Sequence, residues 1–227
     1  MKPGDIFSYM DMCQFEKITL QRGMNYYSDK QSIFLMSLRK NAPYADCVEE
    51  NGKVLIYEGH DVQKNHTNMN PKSVDQPEYN PSGTKTQNGL FHQAAQNAKK
   101  GLKPKLVKVY EKLRGGIWTY NGQFELIDSW KEKDQNNRLV FKFKLVLTEE
   151  INCDENDVEL THTRLIPSEI KKLVWIRDKG QCVQCGSKDN LHFDHIIPFS
   201  KGGSSLIAEN IQLLCAKHNI NKRDKIE

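Results

Sequence analysis

Residues 190–203 read NLHFDHIIPFSKGG. An acid and an imidazole, Asp194 and His195, stand together in an otherwise apolar run, and a proline and two glycines follow. The apolar residues predict a short buried strand, and Pro198 with Gly202-Gly203 predicts a turn directly after it. Successive side chains of a regular strand face opposite ways. Asp194 and His195 can therefore serve one site only where the strand ends or bends.

Potential metal ligands flank this run. Cys182-x2-Cys185 lies upstream, and Cys215-x2-His218 follows it after 29 residues. Two ligands from a tight turn and two from one helix face can close a tetrahedron, the pattern of a structural Cys3His zinc site. A unit of about 60 residues is too small to depend on its apolar core alone, so a metal staple makes physical sense. The competing reading is ordinary buried thiols. With four protein ligands the Zn²⁺ would stabilise rather than catalyse.

Around this unit the chain has 227 residues, 37% hydrophobic and 27% charged, with a net charge of +4. No apolar stretch approaches the roughly 20 residues needed to span a bilayer. The opening MKPGDIFSYM lacks the apolar segment of a signal peptide. The expectation is a cytoplasmic protein without membrane contact, in which cysteines need a non-disulfide explanation. Cys13, Cys47 and Cys153 are scattered and read as indifferent thiols. The charge is uneven. Residues 160–227 hold 11 Lys and Arg against 7 Asp and Glu, whereas residues 85–114 hold eight basic groups and one acid. Two separate basic regions favour a polyanionic partner over a merely solvated face.

Residues 1 to about 147 read as mainly β. SIFLMSL, KVLIYEG, KLVKVYEKL, GQFELIDSW and LVFKFKLVL are rich in β-branched and aromatic residues, and VFKFKL alternates with the period of a strand that has one face in the core. NGLFHQAAQNAKKG, residues 88–101, predicts a helix stopped by Gly101. Residues 61–86 predict a long loop. EEINCDENDVE, residues 149–159 with six acids, reads as a linker. A second unit then opens with a helix in PSEIKKLVWIRDKG and closes with a helix over roughly 210–224. The expected organisation is a recognition domain over 1–148, a linker over 149–163 and a second domain over 164–227.

The text CVQCG, LHFDHIIPFSKGG and AENIQLLCAKHNINK resembles the HNH, or ββα-metal, endonuclease family across residues 164–225. The resemblance implies phosphodiester hydrolysis, which needs a nucleophilic water, a base to activate it and a cation to stabilise phosphate charge. His195 suits the base, because a neutral imidazole is available near neutral pH. Asp194 offers a hard oxygen ligand for Mg²⁺ or Mn²⁺, and Asn219 offers a second where the family often has His. Asn210 matches the middle letter of the family name and would tie the loop and orient His195. Lys222 stands where the family often has a Lys able to contact phosphate. The competing reading is a structural Asp194-His195 pair, or a degenerate nuclease kept as a DNA-binding knuckle. His192 reads as a surface histidine.

The amino-terminal part resembles the SET- and RING-associated (SRA, or YDG) domain, a PUA-like β-barrel that flips modified cytosine out of the duplex. GDIF, SIFLMS, KVLIYEG, QNGLFHQAAQN, LVKVYEK, WTYNGQFELIDSW and VFKFKL carry the match, with Tyr120-Asn121-Gly122 in place of the Tyr-Asp-Gly signature. The resemblance implies two stacking rings and an acid at the base's polar edge, and by position these are Tyr44, Tyr57 and Asp46. His60-Asp61 replaces a glycine-rich stretch after the second ring. The competing reading makes Tyr44 and Tyr57 ordinary barrel aromatics. Tyr120, Trp118 and Trp130 read as core. Lys99, Lys100, Lys103 and Lys105 are candidate phosphate contacts, which position without reading sequence.

The fold expected is thus α+β: a PUA-like or SRA-like β-barrel with flanking helices, joined to a small zinc-stabilised ββα-metal domain. The activity expected is a modification-dependent DNA endonuclease acting on double-stranded DNA that carries 5-modified cytosine. A single nuclease site cuts one strand, so a double-strand break implies a homodimer or successive nicks. The rivals are an HNH endonuclease indifferent to modification and a non-catalytic module that binds modified DNA.

Overall fold

The computed structural model describes residues 1–39, 42–63, 70–148, 165–223 and 225–226. The acidic stretch expected as a linker, with Cys153, lies outside the described residues. The architecture is α+β, and an eight-stranded sheet dominates the amino-terminal part. Its strands are β1 (Ile6–Ser8), β2 (Met24–Asn25), β3 (Ser32–Met36), β4 (Cys47–Glu49), β5 (Val54–Glu58), β6 (Lys105–Arg114), β7 (Ile117–Lys133) and β8 (Leu139–Leu147). The order is β2-β3-β6-β7-β8-β5-β4, with β1 paired to β7. β3 and β6 run parallel, and β6-β7-β8 form an antiparallel meander.

β3 and β5 are separated by three strands along this path, yet Phe34 of β3 stacks on Tyr57 of β5 with ring centroids 4.2 Å apart. The Tyr57 hydroxyl also donates to the Leu35 carbonyl at 3.3 Å. The sheet is therefore rolled around one core, in which Phe34, Phe124, Phe141, Phe143 and Leu145 are buried. Helix α2 (Gln87–Lys99) plugs that core with Phe91 and Ala95. Thr86 caps α2 by accepting from the Gly89 N–H at 3.2 Å. The expected alternation of VFKFKL is modified at Lys142. It is buried with its ammonium 3.0 Å from Glu58 and 3.1 Å from the Ala45 carbonyl. Helix α1 (Tyr9–Glu16) was not expected. It lacks an apolar stripe, and its signal is the capping pair Ser8 and Asp11, whose hydroxyl and N–H lie 3.1 Å apart.

The carboxy-terminal unit comprises α3 (Ser168–Arg177), β9 (Leu191–His195), β10 (Ile211–Cys215) and α4 (Ala216–Lys222). The helix expected over 210–224 is a strand in its first part. Ile211–Cys215 pairs antiparallel with β9, setting Gln212 opposite Asp194. Periodicity cannot separate a strand from a helix in so short an apolar run. The outer edge of β10 decides the matter: Arg177 donates to the Ile211 carbonyl at 2.6 Å, and Asp178 accepts from the Leu213 N–H at 2.9 Å. Cys215 is thus the last strand residue and the N-cap of α4.

The chain returns to the first core on the way into this unit. Leu165 is buried among the barrel residues, and Ile166 packs with Val174, Phe193, Ile211 and Leu213. Leu113, Ile6 and Ile117 of the barrel share that second cluster.

Candidate metal centre, nuclease strand and base cleft

The knuckle holding Cys182 and Cys185 is folded by its backbone. Cys182 donates its N–H to the Ser187 carbonyl at 2.7 Å, and Gly186 donates to the Cys182 carbonyl at 2.8 Å. β10 delivers Cys215 to this knuckle, and the first turn of α4 delivers His218. The four ligand atoms all lie within 4.8 Å of one another. Cys185 Sγ and Cys215 Sγ are 3.8 Å apart, and His218 Nδ1 is 3.3 Å from the sulfurs of both Cys182 and Cys215. A tetrahedron with metal–sulfur bonds of about 2.3 Å has an S···S edge of about 3.8 Å, so the cage fits a zinc-sized ion. Burial alone would raise the Cys182 thiol, but nearby backbone N–H groups and His218 pull it down to about 6. A thiolate is the form that ligates metal.

Along β9 burial alternates, with Leu191, Phe193 and His195 inward and His192 and Asp194 more exposed. Asp194 and His195 thus face opposite ways within β9, but His195 is its last residue, and the His195 carbonyl and the Asp194 carboxylate meet on Lys222. His195 is buried, its Nε2 lies 2.8 Å from Ser205 Oγ, and its ring packs 5.9 Å from Phe199. The Asp194 carboxylate accepts from Gln212 at 3.3 Å and pairs with Lys222 Nζ at 2.9 Å. Lys222 also donates to the His195 carbonyl at 2.6 Å, which draws the end of β9 onto α4. Lys222 is 2% exposed, so the ammonium expected to contact phosphate instead faces inward onto Asp194 and the His195 carbonyl. Asn219 is half-buried one turn earlier on the same face of α4.

Asn210 holds the loop after β9. Its Oδ1 accepts from the Ile197 N–H at 2.8 Å, and its Nδ2 donates to the carbonyls of Ile197 at 3.2 Å and Ser204 at 3.0 Å. Gly203 allows the turn to close, since a Cβ there would fall 1.8 Å from the Ile197 carbonyl oxygen. Sequence reasoning missed Ser205 and Gln212. Recognising β10 as a strand would have placed Gln212 across from Asp194. Nothing in the sequence marks Ser205 beyond its nearness to the glycine turn.

A cleft of about 1520 Å³ opens in the rolled sheet, and Tyr44, Asp46, Tyr57 and His60 line it. Tyr57 is 1% exposed with one face on Phe34, so chiefly its hydroxyl edge meets the cleft. That hydroxyl lies 3.3 Å from His60 Nε2. Tyr44 stacks on His60 with centroids 5.3 Å apart, and Lys72 Nζ sits 4.3 Å from the Tyr44 ring centre. Burial pushes the His60 imidazole down to about 4, so it is neutral near pH 7. Asp46 turns its carboxyl inward onto the N–H groups of Glu58 at 3.0 Å and Ser37 at 3.2 Å. Burial outweighs those bonds and pushes its carboxyl up to about 7. His60 and Lys72 were not foreseen as part of this group. Only the His60-Asp61 replacement hinted at it.

The candidate phosphate contacts cluster at the end of α2 and beyond. Lys99, Lys100 and Lys103 are exposed, with Lys99 paired to Asp128 at 2.9 Å. Lys105 is half-buried and donates to the Lys30 carbonyl at 2.7 Å. No helix among the described residues is long and apolar enough to cross a membrane.

No curated protein matches the chain. Among solved structures, it is similar to the SUVH5 SRA domain in complex with fully methylated CG DNA. That match has 22% identity and a TM-score of 0.47, covering 70% of this chain and 94% of the other. It is also similar to the SUVH5 SRA domain bound to fully hydroxymethylated CG DNA, at 23% identity and a TM-score of 0.47, over 70% and 93%. A third similarity, to the modification-dependent TagI restriction endonuclease, has 18% identity and a TM-score of 0.43, covering 97% of this chain and 76% of that one. Residues 182–225, which hold the Cys3His cage, both strands of the β9–β10 ribbon and α4, match the HNH endonuclease family.

Proposed function

We propose that this chain is a modification-dependent DNA endonuclease that captures a flipped 5-modified cytosine in the barrel cleft and hydrolyses a nearby phosphodiester with its carboxy-terminal unit. The observation that carries the reading is the HNH match over 182–225, which coincides with the Cys3His cage and with the β9–β10–α4 array of Asp194, His195, Asn210 and Lys222.

In this reading His195 takes the proton of the attacking water, with Ser205 holding the ring and Asn210 fixing the loop behind it. Asp194 and Asn219 would hold a Mg²⁺ or Mn²⁺ ion, which supplies Lewis-acid stabilisation of phosphate charge. Lys222 keeps Asp194 and the end of β9 in place. Zn²⁺ in the Cys182, Cys185, Cys215 and His218 cage holds the unit together. Tyr44, Asp46 and Tyr57 belong to the cleft that receives the base. Flipping costs a few kcal/mol, which stacking and hydrogen bonds to the extruded base recover. An Asp46 carboxyl near 7 can accept from the cytosine amino group or, protonated, donate to the ring nitrogen. Lys99, Lys100, Lys103 and Lys105 lie on a basic surface suited to duplex phosphates. The biological role would be restriction of modified foreign DNA, and cutting both strands would take a second copy or successive nicks.

The test is digestion of one plasmid prepared with cytosine, methylcytosine, hydroxymethylcytosine or glucosylated hydroxymethylcytosine, in Mg²⁺ or Mn²⁺. The expected result is cleavage of at least one modified form, sparing of the unmodified one, and loss of cutting in His195→Ala by roughly 10²–10⁴-fold. Equal cutting of all forms would leave a nuclease without a modification requirement. Binding of modified DNA with no nicking under any condition would leave a reader alone.

A further inference from the structure

The interface between the two units contains a polar cluster that neither the zinc cage, the nuclease strand nor the cleft uses. Lys171 of α3 is 1% exposed and reaches between two barrel strands. Its ammonium donates to Asn121 Oδ1 at 2.6 Å and to Glu111 Oε2 at 3.3 Å. Asn121 Nδ2 in turn donates to Glu111 Oε2 at 3.1 Å, which closes a three-membered ring of contacts. Glu111 on β6 and Asn121 on β7 are themselves 0% and 4% exposed.

Asn121 is the position at which Tyr120-Asn121-Gly122 departs from Tyr-Asp-Gly. An Asp there would set a second carboxylate against Glu111, with one ammonium to neutralise both. The carboxamide instead offers a donor to Glu111 and an acceptor to Lys171.

Other contacts surround this ring. His192 Nδ1 lies 2.9 Å from Asp5, and the Phe193 N–H donates to the Gly4 carbonyl at 3.2 Å. Lys172 donates to the Leu38 carbonyl at 3.3 Å, and the Arg114 guanidinium sits 5.8 Å from the Trp175 ring centre. The shared apolar cluster beneath them is non-directional and would tolerate sliding. A buried ion pair with a bridging amide makes these contacts in one register only, those to Glu111 all on its Oε2, while Glu111 Oε1 has no hydrogen-bond partner among the described residues.

We propose that Lys171, Glu111 and Asn121 are positioning residues that lock the nuclease unit onto the reader in a single register, so that cutting occurs at a fixed offset from the captured base. This rests on the reader-plus-nuclease reading above. The geometry predicts that the offset is set by the docked face and not by the length of the 149–163 segment.

The test uses the full chain. A protease site placed within 149–163 is cut after folding, and size-exclusion chromatography asks whether the two pieces travel together. In the uncut chain, cleavage positions are mapped on a duplex with a single 5-methylcytosine, with and without a flexible glycine-serine insertion in 149–163. The expected result is co-elution of the pieces and the same cleavage position with or without the insertion. Lys171→Met and, as an independent variant, Asn121→Asp should lose co-elution and spread the cuts over several positions. Both should keep their zinc content and their affinity for the methylated duplex, which a general folding defect would not spare. Separation of the wild-type pieces, a cut that moves with the insertion, or variants that keep a single cut position would overturn the proposal. A wild-type chain that cuts no duplex would remove the nuclease reading and the offset claim with it, whereas the docking would still stand or fall on co-elution.

Discussion

The rolled sheet and the carboxy-terminal unit reach stability by different physical routes. The sheet encloses a continuous cluster of buried aromatic and aliphatic side chains drawn from β2, β3 and β5 through β8, with α2 as a plug. Among the described residues the smaller unit has no comparable interior of its own. One of its two apolar clusters is shared with Leu113, Ile6 and Ile117 of the barrel, and the other includes two residues of the Cys3His cage, Cys182 and Cys215. A sheet held by many small dispersion contacts loses stability by increments. A unit whose four cage atoms held an ion would lose stability in a single step with that ion.

The largest expected effect falls on the pinned unit. Cys215→Ala should lose bound zinc, a site worth on the order of 10 kcal/mol at neutral pH, and with it all cleavage. Native mass spectrometry for zinc, together with limited proteolysis, should show residues beyond 165 digested while binding of the methylated duplex persists. A variant that resists proteolysis without metal would erase the contrast. Phe34→Ala, in the sheet, removes the ring stacked on Tyr57 and should cost about 3–5 kcal/mol. Calorimetry should record a Tm lower by roughly 10 °C with zinc content unchanged. Loss of zinc in that variant would show that the two units melt as one. The smallest effect concerns Asp46. Its carboxyl is raised to about 7, so its protonated form is favoured in the folded chain, and the associated stability is lost as pH rises through that value. Asp46→Asn cannot ionise. The Tm of the wild type relative to this variant should fall between pH 6 and pH 8 by the equivalent of about 1–2 kcal/mol. A flat difference would mean that Asp46 is already charged throughout that range.

The contrast also explains what the sequence made legible. β3, β6 and β8 announced themselves through β-branched and aromatic runs, and α2 through Gly101, which sits at φ +87° just past its end. The gathering of Cys182, Cys185, Cys215 and His218 was readable because their spacing is itself the structure. Short elements were not: β2 and β4 span two and three residues, too few for any period to emerge. Ile211–Cys215 was misread because its strand character comes from Arg177 and Asp178 on a neighbouring element. In the cleft, Tyr44, Asp46 and Tyr57 were picked out by type and position. That Phe34 covers a face of Tyr57, and that His60 lies against Tyr44, depends on how the sheet rolls. No local pattern encodes that. The burial of Lys171 was likewise invisible, since a lysine in the first turns of a helix ordinarily faces water.

Leu165 has a practical consequence for anyone wishing to express the amino-terminal domain by itself. Its side chain fills the space beside Gly52, where even a methyl group would come within 2.7 Å of it. A gene fragment stopped at the end of β8 would leave that hollow open to solvent, whereas one extended by a few codons past position 165 would carry its own stopper.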